Sequence, residues 1–218
     1  MRVAVLTLTR DRVDYTRHCF AMLENNAGCI FDHYVLDQGS DDDTVEFLEQ
    51  YDPWLLAAFP DNVGIHRGWN ILLDEATDDY DVYVTLDNDC ELHQPGTLKA
   101  VCEAVYPDSG WIASPTVNGL QNPLSPGPPQ DANGYQIGET PIVGGICRAI
   151  PGSFVNAGFR FNEAQPIWGG DETWIAQQFP GRVGWMYDWS VNHYKTTDGQ
   201  QAELPDYFAR KFAEMGWR

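Results

Sequence analysis

Asp87-Asn88-Asp89 closes a short apolar run of Val82, Val84 and Leu86. If that run is a strand, residues two apart share a face, so the carboxylates of Asp87 and Asp89 converge. Convergent carboxylates repel unless something cationic stands between them. Mn²⁺ or Mg²⁺ suits that place, being hard, oxygen-seeking and commonly shared with substrate phosphates. A solvated acidic turn is the other reading. Asp41-Asp42-Asp43 contains the same pattern and reads as a helix N-terminus. Further along, Asp171 and Glu172 follow Trp168-Gly169-Gly170, and His193 and Lys195 lie two apart. A carboxylate can take a proton, a neutral imidazole can ligate a metal, and an ammonium can neutralise a diphosphate. Against these stand plainer roles: acids that cap a helix, and a His and a Lys on the surface.

These groups need elements to hold them. Val3–Leu8 is a β-branched apolar run without helical period, which predicts a buried strand. Apolar Tyr15, Cys19, Phe20 and Leu23 predict a helix from Asp14, its N-cap. Strands are predicted over Phe31–Leu36, Leu55–Phe59 and Val82–Leu86, with helices over Asp41–Tyr51 and Ile65–Ala76 between them. Such alternation predicts an α/β fold with a mostly parallel sheet and helices on both faces. In open sheets of this kind ligands sit at the carboxyl ends of the strands. The polar clusters Thr9–Arg12, Asp37–Ser40, Pro60–Gly64 and Asp87–Asp89 fall there. The second half predicts helices over Pro95–Tyr106, Ser153–Ala157, Asp171–Phe179 and Pro205–Met215. Strands are expected at Trp111–Ser114, Pro141–Ile150 and Val183–Asp188, and Pro115–Gln136, rich in Pro, Gly and Asn, predicts a loop or lid.

Composition narrows the function. The chain has 218 residues, 43% of them hydrophobic, which suits one domain with a real core. Lys+Arg total 13 against Asp+Glu 32, a formal charge of -19. That charge repels a phosphate backbone, so nucleic acid is not an expected partner. No window has the roughly 20 apolar residues of a membrane span. The five cysteines are scattered without a C-x-x-C pair, and a reducing cytoplasmic setting is expected.

Four segments together resemble those of family-2-type GT-A glycosyltransferases. Thr9-Arg10-Asp11-Arg12 resembles their T-x-N-R, and Val35–Thr44 their V-V-D-D-G-S-x-D-x-T. Asn62–Asn70 is similar to their N-x-G…N segment, and Thr85–Asp89 to their L-D-x-D. Asp11 stands where Asn is usual, and Gln38 where a second acid is usual, which leaves the nucleotide base open. The likeness implies a GT-A, Rossmann-like single domain over 1–218, with residues 1–90 binding a UDP- or GDP-linked sugar and 91–218 an unidentified acceptor.

The resemblance also implies roles. Thr9 and Asp37 would lie against base and ribose, and Arg12, Arg67 and Asn70 either near the phosphates or in structural places. Asp87 would contact ribose or sugar beside the metal, Asp89 the metal itself, with His193 completing the site. Trp168–Glu172 resembles the G-G-E-D segment that supplies the catalytic base. The acids are in reversed order here, so Asp171 and Glu172 both stand as candidates, Asp171 preferred as the shorter side chain beside the glycines. The implied activity is a metal-dependent, inverting sugar transfer. One alternative, a sugar nucleotidyltransferase, calls for a glycine-rich loop after the first strand, which Thr9–Arg12 lacks. The other, a non-catalytic nucleotide-sugar or glycan-binding module, would keep the aspartates and need no base.

Overall fold

The structure is a computed structural model that describes residues 1–76, 79–120, 124–165 and 167–216. Its first part alternates as the sequence predicts, through β1 (Val3–Thr9), α1 (Val13–Asn26), β2 (Asp32–Gln38), α2 (Thr44–Tyr51), β3 (Leu55–Phe59), α3 (Ile65–Glu75) and β4 (Val82–Asp87). These strands run parallel in the order β3-β2-β1-β4. Successive strand residues face opposite sides. Val3, Val5, Val35 and Val84 pack with Phe20 and Leu23 of α1 and Leu48 of α2. Ala4, Leu6, Leu36 and Tyr83 pack on the other face with Trp69, Leu72 and Leu73 of α3. Strands covered on both faces have no polar side, which is why β1 reads as an almost unbroken apolar run.

The second part continues through β5 (Cys90–Glu91), α4 (Thr97–Val105), β6 (Trp111–Asn118), β7 (Pro129–Ala132), β8 (Tyr135–Glu139), β9 (Cys147–Pro151), α5 (Gly152–Asn156), α6 (Asp171–Gln178), β10 (Arg182–His193), α7 (Thr197–Glu203) and α8 (Pro205–Glu214). β9 enters antiparallel between β4 and β6, and β10 lies parallel to β6. β8 and β7 extend that edge antiparallel, while β5 pairs with the far end of β10. Among the described residues no helix is long and apolar enough to cross a membrane.

Several boundaries differ from expectation for local reasons. The expected loop over 115–136 holds the end of β6 and a β7–β8 hairpin, with residues 121–123 outside the described residues. Its turn is Asn133-Gly134, both at positive φ (55° and 90°), the two-residue geometry that suits strand twist. The strand expected from Pro141 begins only at Cys147, after Gly144-Gly145. Asp14 sits inside the first turn of α1, whose N-cap is Arg12 at φ 64°. Helix α2 begins at Thr44 rather than Asp41; the Asp42 carboxylate accepts from the Thr44 N–H at 3.0 Å. β10 runs past Asp188 through an irregularity between Met186 and Ser190, and α7 was not expected.

Register positions the site. Thr9 pairs with Asp37 across β1–β2, and Leu8 with Asp87 across β1–β4, so both aspartates emerge at one edge of the sheet. The Asp87 N–H donates to Ile146 O at 3.0 Å, and Thr85 Oγ1 to Gly145 O at 3.1 Å, which brings the loop before β9 against that edge. His193 pairs with Cys90, and the Tyr194 N–H donates to Asp89 O at 2.8 Å, which brings in the end of β10. Gly39, at φ 76°, lets β2 leave this edge: a β-carbon there would lie 2.8 Å from Pro60 O. If this packing carries the stability, Leu72→Ala, at a fully buried position of α3, lowers the unfolding free energy in urea by about 2–5 kcal/mol. Ile30→Ala, at a site 91% exposed, changes it by less than about 0.5 kcal/mol.

Candidate functional site

The β1 and β2 ends build a rigid carboxylate nest. Asp37 is fully buried. Thr9 Oγ1 and Ser40 Oγ donate to its Oδ2 at 2.9 and 2.5 Å, and the Ser40 N–H to its Oδ1 at 3.0 Å. Asp11 ties the same two loops together: its N–H donates to Ser40 Oγ at 2.7 Å, and its Oδ1 accepts from the Asp41 N–H at 2.8 Å.

Beside this nest opens a cavity of about 380 Å³, walled by Thr9, Arg12, Asp87, Asp89, Trp168 and His193 among others. Asp89 is its most heavily engaged carboxylate. Its Oδ2 accepts from Arg12 Nη1 at 2.9 Å and Gln200 Nε2 at 3.0 Å, and lies 3.2 Å from His193 Nε2. Burial opposes the charge, yet Arg12 and His193 hold the Asp89 carboxyl well below the usual carboxylate range. Burial also opposes charge on His193, and its hydrogen bond to Asp89 outweighs this and raises the imidazole. Asp87 has the opposite fate. Burial, then the charges of Asp89 and Asp171, push it up to about 7. Arg12 is held in turn by Asn88 Oδ1 at 2.7 Å and by the Tyr207 ring, 4.8 Å below its guanidinium carbon.

The loop before β9 brings a second pair of charges close. A β-carbon on Gly145 would lie 3.4 Å from Asp171 Oδ2 and 3.7 Å from Asp87 Oδ1, so this glycine separates the two carboxylates. Asp171 forms an ion pair with fully buried Arg148, Nη2 to Oδ2 at 3.1 Å. Arg148 also donates to Val143 O at 3.3 Å and lies over the Phe161 ring. Neither ion would be tolerated there alone. Glu172 is half-buried, and burial together with neighbouring Asp171 raises its carboxyl above the ordinary range.

Thr9, Arg12, Asp37, Asp87, Asp89 and His193 therefore gather at one edge, with Asp171 and Glu172 adjoining. Arg67, Asn70 and Lys195 stand apart. Arg67 is exposed on α3. Buried Asn70 accepts from the Phe161 N–H and donates to Phe161 O and Glu163, which pins the segment leading toward α6. Lys195 pairs with Glu203 at 2.5 Å. The sequence reading missed Arg148, Gln200, Tyr207 and Lys211. Lys211 left a signal: it shares the apolar face of its helix with Tyr207, Phe208 and Met215, at helical spacing.

Asp89 and His193 carry the oxygen and nitrogen donors that a divalent ion takes; the 3.2 Å between them is a hydrogen-bonding distance, and the same Asp89 oxygen accepts from Arg12 and Gln200. Among the described residues no three His, Cys, Asp or Glu side chains gather as a ready cage. Such a site leaves places for phosphate oxygens and water, as Mg²⁺-type ions prefer.

Residues 4–121 match the glycosyl transferase family 2 model. No curated protein matches the chain. Among solved structures, GalNAc-T7 with UDP, GalNAc and Mn2+ superposes with a TM-score of 0.72 at 13% identity, over 91% of this chain and 44% of that one. The mannosyltransferase PcManGT from Pyrobaculum calidifontis, in complex with GDP-Man and Mn2+, gives 0.71 at 17%, over 97% and 64%. S. aureus TarS 1-349 with UDP-GlcNAc gives 0.68 at 15%, over 89% and 59%. The chain thus spans 44–64% of the length of these structures, which share its fold. With more than half its length matched by the family, the chain belongs to glycosyl transferase family 2.

Proposed function

We propose that this chain transfers a hexosyl group from a nucleoside diphosphate sugar to an acceptor hydroxyl, with inversion at the anomeric carbon. The observation that carries the reading is the register that sets the Thr9–Asp37 nest, Asp87 and Asp89 along one cleft. Structures sharing the fold are described with UDP, UDP-GlcNAc or GDP-Man. The whole chain acts as one catalytic domain: residues 1–90 supply most of the donor site and 91–218 the acceptor side. A reducing cytoplasmic setting, expected from the scattered cysteines, belongs to the same reading.

Thr9 and Asp37 bind the nucleoside and Asp87 the ribose or sugar. Asp89 and His193, with Asp87 beside them, would hold Mn²⁺ or Mg²⁺, which when bound supplies Lewis-acid neutralisation of the leaving diphosphate. Of the two candidate bases, the geometry favours Glu172. Asp171 is committed to Arg148, and that ion pair fixes the start of α6. Glu172 is free of that pair, and its raised carboxyl makes it a stronger base than an ordinary glutamate. It takes the acceptor hydroxyl's proton as the oxygen forms its bond to the anomeric carbon. The bond from that carbon to the diphosphate oxygen breaks on the opposite face. A single displacement of this kind inverts the centre, and holding both substrates in one cleft lowers its entropic barrier.

The test is a panel of UDP- and GDP-sugars with Mn²⁺, read as nucleoside diphosphate released with and without acceptors. Binding without any turnover would instead mark a non-catalytic module. Asp89→Ala is expected to abolish metal-dependent nucleotide binding in calorimetry. Glu172→Gln should spare donor binding and lower kcat about 10²–10⁴-fold. Asp171→Asn should act mainly on stability, costing about 3–5 kcal/mol by stranding Arg148; the reverse pattern would make Asp171 the base.

Protons compete with the metal. Asp87 is pushed up to about 7 and His193 is also raised, so both carry more proton below neutrality. Manganese affinity should therefore rise with pH through about 7 and level off above it, with protons released on binding. A flat affinity between pH 6 and pH 8 would contradict this assignment.

A further inference from the structure

Helix α8 lies across the donor cleft, held there largely by polar contacts. Glu214 Oε2 accepts from Arg10 Nη1 at 2.6 Å, Asn62 Nδ2 at 3.2 Å and Trp168 Nε1 at 3.4 Å. These donors come from the loops after β1, after β3 and before α6. Arg210 reaches Asp11 at 2.8 Å and Asp41 at 3.2 Å. Tyr207 lies beneath the Arg12 guanidinium. The anchors thus span the rim through which a donor must pass. Asp11, the residue found where an asparagine is usual, has a use here: an amide could not form the ion pair with Arg210.

The face of α8 turned to the cavity carries buried Tyr207 and Phe208 and, on the same side, Lys211. The ammonium of Lys211 lies 4.5 Å from the centre of the Trp168 ring. Lys211 lines the same cavity as Asp87, Asp89 and His193. Among the described residues its side chain makes no hydrogen bond or ion pair. An exposed lysine would hydrate its charge at little cost. This one is turned inward, where burial and the nearby Arg12 charge lower its proton affinity. Such an arrangement is costly when empty and is relieved when an anion enters. Lys195, the lysine nearest to the metal-site residues in sequence, is already neutralised by Glu203 and points elsewhere.

We propose that Lys211 is the cation this cleft offers to the donor's diphosphate, and that α8 is the strap that delivers it, so that strap docking reads the phosphates and not the nucleoside. This deepens the glycosyltransferase reading and rests on it. A Lys ammonium is a compact point charge suited to phosphate oxygens, and the Trp168 face holds its stem in line.

Calorimetry on the full chain with MnCl₂ tests it, using UDP and GDP, their monophosphates, and uridine and guanosine. Lys211→Met should weaken the preferred diphosphate about tenfold or more, as loss of a charge-assisted bond does. It should leave the nucleoside within about twofold, with the monophosphate between, and Lys211→Arg should retain most of the diphosphate affinity. Amide exchange gives a second readout, in which UDP or GDP protects α8 in the wild type and in Lys211→Arg but not in Lys211→Met. Unchanged diphosphate affinity in Lys211→Met, equal losses for nucleoside and diphosphate, or α8 protection that ignores the substitution would overturn the proposal while leaving the donor cleft intact. A wild-type chain that binds none of these nucleotides would overturn the donor reading itself.

Discussion

Charge crowding at one sheet edge governs this molecule. Parallel pairing delivers Asp37 and Asp87 to strand ends, the turn between β4 and β5 adds Asp89, and the loop before β9 brings Asp171 close behind. Buried carboxylates at such spacing repel one another strongly unless each is offset. The chain offsets each differently. Asp37 receives three hydrogen-bond donors, Asp89 receives Arg12, Gln200 and His193, and Asp171 receives Arg148. Among the described residues Asp87 makes no ion pair, and burial with the charges of Asp89 and Asp171 pushes its carboxyl up. The edge thus carries one more buried carboxylate than its paired partners offset.

Arg12 links this balance to the rest of the fold. It holds Asp89 through the same oxygen that faces His193, so guanidinium and imidazole draw on one acceptor. Arg12 also rests on Tyr207 of α8 and donates to Gln200 Oε1 of α7 at 2.9 Å. Any change in the charge at Asp89 is therefore felt by both helices that cover the cleft. The left-handed backbone at Arg12, φ 64°, places its side chain over the site instead of along α1. Sparse conformations of this kind are kept where surrounding contacts over-determine them, and here four side chains do so.

Much of this was legible from residue order. The first four strands, the three helices between them and the polar clusters at their ends follow from apolar runs of fixed period, because burial on two faces leaves a clear pattern. The second half was less legible, since antiparallel insertion of β9 and the bend in β10 depend on long-range pairing rather than local period. The Asn133-Gly134 turn was a readable hairpin signal that the surrounding Pro and Gly obscured. Among site residues, motif positions emerged because their spacing is local to one strand end. Arg148 did not, because a buried arginine is intelligible only once Asp171, 23 residues later, is known to face it. Asn70 reads as a polar site residue in sequence, and only the fold shows its amide spent on the Phe161 backbone.

The overall charge sharpens the role of the few cations. A formal charge of -19 opposes the approach of any nucleotide at long range. Salt screens that repulsion beyond about 8–10 Å, so the outcome is decided by charges inside the cleft. There the few cations are gathered beside the carboxylates. Arg10, Arg12 and Lys211 line the cavity, and Arg10 and Arg12 are already paired with Glu214 and Asp89. An acidic surface with its positive charge held inside the cleft favours an anion that can reach past the rim, and it discourages extended polyanions that cannot enter. Placing one of those cations on a strap fastened to the rim ties recognition of the phosphates to closure, without requiring the acidic exterior to attract the ligand at all.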